Sequence, residues 1–309
     1  MIKDIIRVAL KEDIGKGDIT STSIIPKDRH AKAILLAKED CLVCGLDIAR
    51  RVFKAQDKNI KFKPQVQDGR LVKKGKVIAR LFGKAQSILI AERVALNFLS
   101  FLSGIATKTK KYVDRVEPYM VNPVRKSGKK IKKGFSNGVK IMDTRKTIPG
   151  LRELEKYAVR VGGGYNHRFR LDEMLLIKDN HFKVISCPMP ALPRRQAGGM
   201  QELSVVRLKE FFKRIKNKKN VKVEIEVKSL KELKEVLKLK PDIIMLDNMS
   251  IKNIKKAVKI RGNLTPKLEV SGRVTLKNVR KIAASGVEMI SIGDLTHSLK
   301  SIDMSLEFI

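Results

Sequence analysis

A chain of 309 residues can bury a core and divide into two domains, and one that is 43% hydrophobic reads as soluble and globular. No uninterrupted apolar run approaches the roughly 20 residues that span a bilayer, and the opening MIKDIIR has no apolar signal core, so the expectation is a cytoplasmic protein without a membrane span. A formal net charge of +35 draws anions and can draw nucleic acid, but the 67 Lys and Arg are spread along the whole chain, which reads as solvated faces rather than a nucleic-acid surface.

The first hundred or so residues mix helix and strand. Residues 4–11 are spaced as a short amphipathic helix. Apolar runs follow at AKAILLAKE, CLVCGLDIA and KVIARLFG, and Gly69 and Gly75 punctuate DGRLVKKGKVIARL as strand, turn, strand. Cys41 and Cys44 form a CxxC inside CLVCGL. Zinc needs a second ligand pair, which the sequence does not offer, so both read as thiols on a strand face; Cys187 has no evident partner, and three cysteines are too few for a disulfide framework. SILIAERVALNFLSFLSGIATKTKKYVDRV then carries apolar residues at helical spacing over many turns and predicts a long buried helix joining the two halves.

The second half has another rhythm. Short apolar runs end in polar or Gly residues: VKIMD before Thr144, Arg145 and Lys146; MLLI before Lys178; VEIEV around Glu226; IIML before Asp247; LEV before Ser271 and Gly272; MISI before Gly293. The last four recur about 20 to 25 residues apart with helical pattern between, such as KSLKELKEVLKLK, which is the period of a βα unit. Repeated right-handed units curl a parallel sheet into a barrel, whose chemistry sits at the C-terminal strand ends. Two stretches break the rhythm, residues 117–138 and 184–202. Both are rich in Pro, Gly, Ser and basic residues and read as surface insertions open to disorder; the first, although basic, reads as an inert loop.

The strand ends and the loops beside them offer Arg145, Lys146, His167, Arg168 and Lys178, then Glu226 and Asp247, then Ser271, Gly272 and Gly293. The cations suit a small substrate with more than one carboxylate. Two carboxylates on neighbouring strands suit Mg²⁺ or ribose hydroxyls. Glycine-containing ends on the last strands suit a phosphate held by backbone N–H groups. Each piece alone is commonplace; together they point to phosphoribosyl transfer.

DTRKTIPGLRELEKYAVRVGGGYNHRFRLDEMLLIKDNH, residues 143–181, resembles the signature region of quinolinate phosphoribosyltransferases. The likeness continues through EDIGKGDITS, AERVALNFLSFLSGIAT, EIEVKSL, IIMLDN, LEVSG and SIGDLTHS, and covers nearly all of the chain outside the two insertions. It implies an α/β fold of two domains: an N-terminal α/β sandwich at 1–105, with the tail 296–309 packing on it, and an incomplete α/β barrel at 106–295 that carries the insertions. It implies a homodimer or higher even oligomer in which Arg93 crosses the interface to bind quinolinate. The resemblance has Thr144, Arg145, His167, Arg168 and Lys178 bind quinolinate, and makes Lys146, Glu226 and Asp247 the catalytic set that meets phosphoribosyl pyrophosphate, with Glu226 and Asp247 as ligands of Mg²⁺. The resemblance also implies that Ser271, Gly272 and Gly293 hold the 5′-phosphate and that the flanking Arg273, Ile292 and Asp294 belong to the substrate-binding set. The implied reaction gives nicotinate mononucleotide, pyrophosphate and CO₂ in de novo NAD biosynthesis.

The sequence departs from the family at two places. Arg273 stands where a second Gly commonly follows Ser-Gly, and Asp294 stands where a small residue is common. A carboxylate beside a phosphate is unfavourable unless it points away or pairs with Arg273. Three rivals remain: a paralogous phosphoribosyltransferase with another substrate, such as the molybdenum-transport-associated relatives; a basic nucleic-acid-binding protein on the same fold; and an enzyme disabled by the insertions, against which the intact site residues speak. The four cations Arg145, His167, Arg168 and Lys178 argue against the first, and the lack of an aromatic stacking set argues against the second.

Overall fold

The computed structural model describes residues 2–120, 138–186 and 221–309. Most of the two expected insertions, from residue 121 and from residue 187 onward, and Cys187 itself, lie outside the described residues. Contacts divide the chain into two compact units. Unit 1 joins Met1–Val113, Lys146–Asn166 and Asp294–Ile309; unit 2 joins Asp114–Arg145 and His167–Gly293. Residues 105 and 106, where the sequence placed a boundary, fall within a single helix.

Unit 1 begins with α1 (Ile2–Ile14), whose Ile6 and Leu10 sit one turn apart and are buried. Asp18 caps α2 (Ile19–Ile24) by accepting from the Ser21 N–H at 2.9 Å. Strand β1 (His30–Ala37) alternates, burying Ala33, Leu35 and Ala37. It pairs antiparallel with β5 (Val77–Lys84) on one side and with β12 (Met304–Phe308) on the other; β3 (Lys61–Pro64) completes the sheet in the order β12-β1-β5-β3. The strand, turn, strand reading of DGRLVKKGKVIARL gives β4 (Leu71–Val72) and β5, but the two do not pair with each other. β4 pairs instead with β2 (Cys41–Leu42). Only Cys41 lies in a strand; Cys44 precedes α3 (Leu46–Gln56). Both thiols are free and buried, and burial pushes Cys41 up to about 11 and Cys44 higher still, so neither is a ready thiolate. Asp68 accepts from the N–H groups of Gly45 and Leu46 at the start of α3 and from the Tyr157 hydroxyl of α5 (Arg152–Val161).

Helix α4 (Ala85–Val116) is the long helix that the periodicity predicts. By length and apolarity it would pass for a membrane-crossing helix, which the search for uninterrupted apolar runs did not anticipate. Its Ile88, Ala91, Val94, Ala95, Leu99 and Leu102 are instead buried in the protein.

Unit 2 is a six-stranded parallel sheet: β6 (Lys140–Met142), β7 (Leu175–Ile177), β8 (Val223–Val227), β9 (Ile243–Asp247), β10 (Lys267–Ser271) and β11 (Met289–Ser291). The order β6-β11-β10-β9-β8-β7 is cyclic with one break, between β6 and β7, which makes an incomplete barrel. The intervening helices are α6 (Asp179–Ser186), α7 (Leu230–Leu237), α8 (Ile251–Arg261) and α9 (Val279–Ala283), and α10 (Asp294–His297) follows β11. Ser229 and Ser250 cap α7 and α8 through the N–H groups of Glu232 and Asn253.

Candidate active site

Register decides which side chains meet. Glu226 on β8 lies opposite Met245 on β9, and Met245 lies opposite Glu269 on β10. One step nearer the strand ends, Asp247 lies opposite Ser271. Side chains alternate along a strand, so Glu224, Glu226, Met245, Asp247, Glu269 and Ser271 share one face. Ile225, Ile244, Leu246, Leu268 and Val270 take the other face and are buried. An apolar outer face thus anchors an inner face that bears carboxylates.

His167 is held among those carboxylates. Asp143, buried just beyond β6, accepts from the His167 N–H at 2.9 Å. The ring Nε2 lies 2.9 Å from Glu224 Oε2 and 3.6 Å from Glu269 Oε2, and both Glu side chains are fully buried. Burial pushes each carboxyl up to about 8; the charge of Glu224 adds to the effect on Glu269, while Arg168 and Lys178 oppose it at Glu224. Among the described residues Glu224 Oε1 and both oxygens of Glu269 have no hydrogen-bond partner at good geometry, although Ser291 lies near enough to Glu269 to ease its burial. His167, Glu224 and Glu269 are the only set of three among the described residues whose ligand atoms cluster closely enough for a metal. Burial favours the protonated form of both acids, which binds a divalent cation poorly, so the two carboxyls are better read as holding protons than a metal.

The cations sit beside this trio. The Arg168 guanidinium donates to the Met174 carbonyl at 2.9 Å, and its buried Nε has no hydrogen-bond partner among the described residues. Burial and then the charge of Arg145 lower its proton affinity, and the charge of Glu224 opposes them. Lys178, just past β7, is half exposed, with Nζ 3.3 Å from Glu226 Oε2; its N–H donates to His181 Nδ1. Lys228 lies 2.6 Å from Asp179, and Asp179 first, then Glu226 and Asp247, strengthen its hold on a proton. Glu226 and Asp247 therefore act on one neighbourhood. Past β10, Gly272 has φ +84° and Arg273 φ +50°, so Arg273 adopts the left-handed backbone of the glycine that it replaces. Ile292 is buried and its N–H donates to the Met142 carbonyl at 3.0 Å, which leaves Gly293 as the accessible part of that turn.

Arg93, Lys146 and Asp294 belong to unit 1, and Thr144 to unit 2 with the cations. Arg93 is exposed on α4. Lys146 is exposed, and its carbonyl accepts from the Thr296 hydroxyl at 2.6 Å. Asp294 is paired with Lys108 at 2.7 Å and with the Tyr112 hydroxyl at 3.4 Å, so its charge is met by α4 rather than by Arg273.

Residues 18–103 match the family described as quinolinate phosphoribosyl transferase, N-terminal domain, and residues 105–307 match quinolinate phosphoribosyl transferase, C-terminal domain. The chain belongs to the quinolinate phosphoribosyltransferase family. A probable carboxylating nicotinate-nucleotide pyrophosphorylase of Methanocaldococcus jannaschii is 40% identical over 319 residues, covering 100% of this chain and 99% of the relative. The crystal structure of nicotinate-nucleotide pyrophosphorylase from Ehrlichia chaffeensis is 37% identical with a TM-score of 0.82, covering 100% of this chain and 99% of that one. The same enzyme from Francisella tularensis is 37% identical with a TM-score of 0.80, over 100% and 96%. Within this quinolinate phosphoribosyltransferase chain the sequence reading passed over Asp143, Glu224, Glu269 and Asn248. Period-two alternation was the available signal: it sets Glu224 beside Glu226 in VEIEV and Glu269 beside Ser271 in LEVS.

Proposed function

We propose that the chain transfers the phosphoribosyl group of phosphoribosyl pyrophosphate to the ring nitrogen of quinolinate and releases pyrophosphate and CO₂, forming nicotinate mononucleotide for NAD biosynthesis. The observation that carries this reading is the gathering of cations at one end of unit 2, where Lys178 lies 3.3 Å from Glu226, Arg168 and Lys178 both act on Glu224, and Arg145 acts on Arg168. A dicarboxylate matches several cations gathered in one place better than a monocarboxylate such as nicotinate does.

In this reading Thr144, Arg145, His167, Arg168 and Lys178 fix quinolinate by its two carboxylates. Glu226 and Asp247 face the ribose, and Ser271, Gly272 and Gly293 the 5′-phosphate, with Lys146 directed at the pyrophosphate. Glu226 and Asp247 would also hold Mg²⁺. Two carboxylates with no third protein ligand fit an ion that completes its shell with water and substrate oxygens, and bound there it would supply charge neutralisation of the leaving pyrophosphate. As the C1–oxygen bond of the ribose breaks, positive charge builds on the sugar, and the Glu226 and Asp247 carboxylates stabilise it. The pyridine nitrogen forms the new bond to C1. The ring is then cationic, the 2-carboxylate leaves as CO₂, and its electron pair remains at C2 until a proton is taken up there. No protein nucleophile is required; positioning and electrostatics do the work.

The proposal extends to a cytoplasmic homodimer in which Arg93, solvent-facing on its own unit, completes the partner's quinolinate site. Turnover with quinolinate, phosphoribosyl pyrophosphate and Mg²⁺ tests the reaction, with nicotinate as the control substrate. Nicotinate mononucleotide and CO₂ from quinolinate are expected. A folded protein that turns over nicotinate, or neither compound, would defeat the reading.

A further inference from the structure

The residue after Asp247 is built in an unusual way. Asn248 has φ +54°, a left-handed conformation that side chains other than glycine adopt at a cost. Its amide Nδ2 donates to Asp247 Oδ2 at 2.9 Å, and its backbone N–H donates to the Ser271 carbonyl at 2.9 Å. Its side chain also lies over Gly272: a Cβ on Gly272 would fall on the Asn248 amide oxygen and come within 2.6 Å of its Cγ. One side chain therefore touches the carboxylate at the end of β9 and closes over the Ser271–Gly272 turn at the end of β10. That turn is clamped from its other side, where Asn278 Nδ2 donates to the Arg273 carbonyl at 2.9 Å and Asn278 Oδ1 accepts from the Thr275 N–H at 2.8 Å.

We propose that Asn248 is a positioning residue for phosphoribosyl pyrophosphate, orienting the Asp247 carboxylate with its amide and setting the separation between that carboxylate and the Ser271–Gly272 turn. This rests on the reading of Asp247 as the ribose carboxylate and of Ser271–Gly272 as the 5′-phosphate turn. It explains why a left-handed Asn occupies a position where glycine would cost less: glycine could make the turn but could not hold Asp247. It also gives Gly272 a second reason to be glycine, since the space a side chain would need is taken by Asn248.

The test separates backbone from side chain. Asn248→Gly keeps the left-handed turn without strain and removes the amide, so a merely structural role leaves folding and kinetics near wild type. Under the proposal its KM for phosphoribosyl pyrophosphate rises on the order of tenfold while KM for quinolinate stays within about twofold, a size seen when groups that orient a ligand-binding side chain are removed. Asn248→Asp, which keeps size and turn tolerance but sets a second carboxylate against Asp247, loses more. Asp247→Ala serves as the control for the reading beneath. If Asp247→Ala raises KM for phosphoribosyl pyrophosphate and Asn248→Gly does not, the positioning role is overturned. If neither moves it, the ribose assignment of Asp247 has failed, and the proposal with it. Thermal unfolding supplies a readout independent of turnover. Gly272→Ala should lower the midpoint less in the Asn248→Gly background than in the wild type, because the clash is gone while the backbone penalty is common to both. Strictly additive midpoints would show that Asn248 does not sit on Gly272.

Discussion

Replacing Glu269 with Gln should change stability in a way that depends on pH. The Glu269 carboxyl is fully buried 3.6 Å from His167, and burial lifts it from its ordinary 4.5 to about 8. A carboxyl whose proton affinity is higher in the folded state favours folding below its unfolded value. That contribution drains away as pH rises from about 4.5 to about 8, because over this window the unfolded chain has released a proton that the folded protein still holds. At roughly 1.4 kcal/mol per tenfold change in proton affinity, the whole swing is at most about 5 kcal/mol. Glu224 is raised for the same reason and its charge acts on Glu269, so the two acids titrate together, and removing one lets the other ionise more easily. About half of the swing, roughly 2–3 kcal/mol, is then the expected gain from Glu269→Gln at pH 8, against little change at pH 5. With about 2–4 °C of melting temperature per kcal/mol, the variant should melt on the order of 5–10 °C above wild type at pH 8 and level with it at pH 5. Melting both proteins by circular dichroism from pH 5 to pH 8 measures this. A difference that is flat with pH, or a variant that falls below wild type as pH rises, would mean that Glu269 stands ionised as a counter-charge to His167, and the argument from burial would be wrong.

Other substitutions follow from single contacts. Lys178→Ala removes a cation of the carboxylate site and leaves the buried Glu226 without its partner at 3.3 Å; kcat/KM for quinolinate should fall about a hundredfold, and a near-wild-type value would exclude Lys178 from binding. Arg273→Gly relieves a φ of +50° worth about 1 kcal/mol, so the melting temperature should rise by a few degrees; no rise would show the backbone to be unstrained. Gly104→Ala places a Cβ on the Lys300 carbonyl oxygen and should cost about 1–3 kcal/mol, with the C-terminal segment becoming sensitive to protease before the rest of the chain. A wild-type melting curve and digestion pattern would show that α4 and residues 300–301 separate without loss.

What the sequence made visible depended on whether the signal was local. The parallel strands of unit 2 were legible because each apolar run ends in a polar or glycine residue at a regular interval, and Asp247, Ser271 and Gly293 lie where those runs stop. Helix α4 was legible from 3.6-residue spacing alone. Pairing was not: Leu71–Val72 and Val77–Lys84 look like the arms of a hairpin, yet each finds a partner distant in sequence. Nothing local marks Lys146–Asn166 as part of unit 1, because that membership is written in long-range contacts, whereas the place of the tail 296–309 was implied by the family resemblance. The carboxylates at Glu224 and Glu269 were overlooked for a different reason. A charged residue in the middle of a strand is ordinarily solvent-facing, and only the closing of six strands around one face turns it inward.

The last strand carries a consequence for synthesis. β12 covers one edge of β1, opposing Leu306 to Leu35 and Phe308 to Ala33. β1 leaves the ribosome early, whereas its neighbour β12 is made only after α4 and every strand of unit 2. At roughly 5–20 residues per second the interval is on the order of ten seconds or more, and through it the nascent sheet presents an unpaired strand edge. A message cut short before codon 304 would yield a protein that retains every side chain proposed for the site and yet lacks the strand that covers β1.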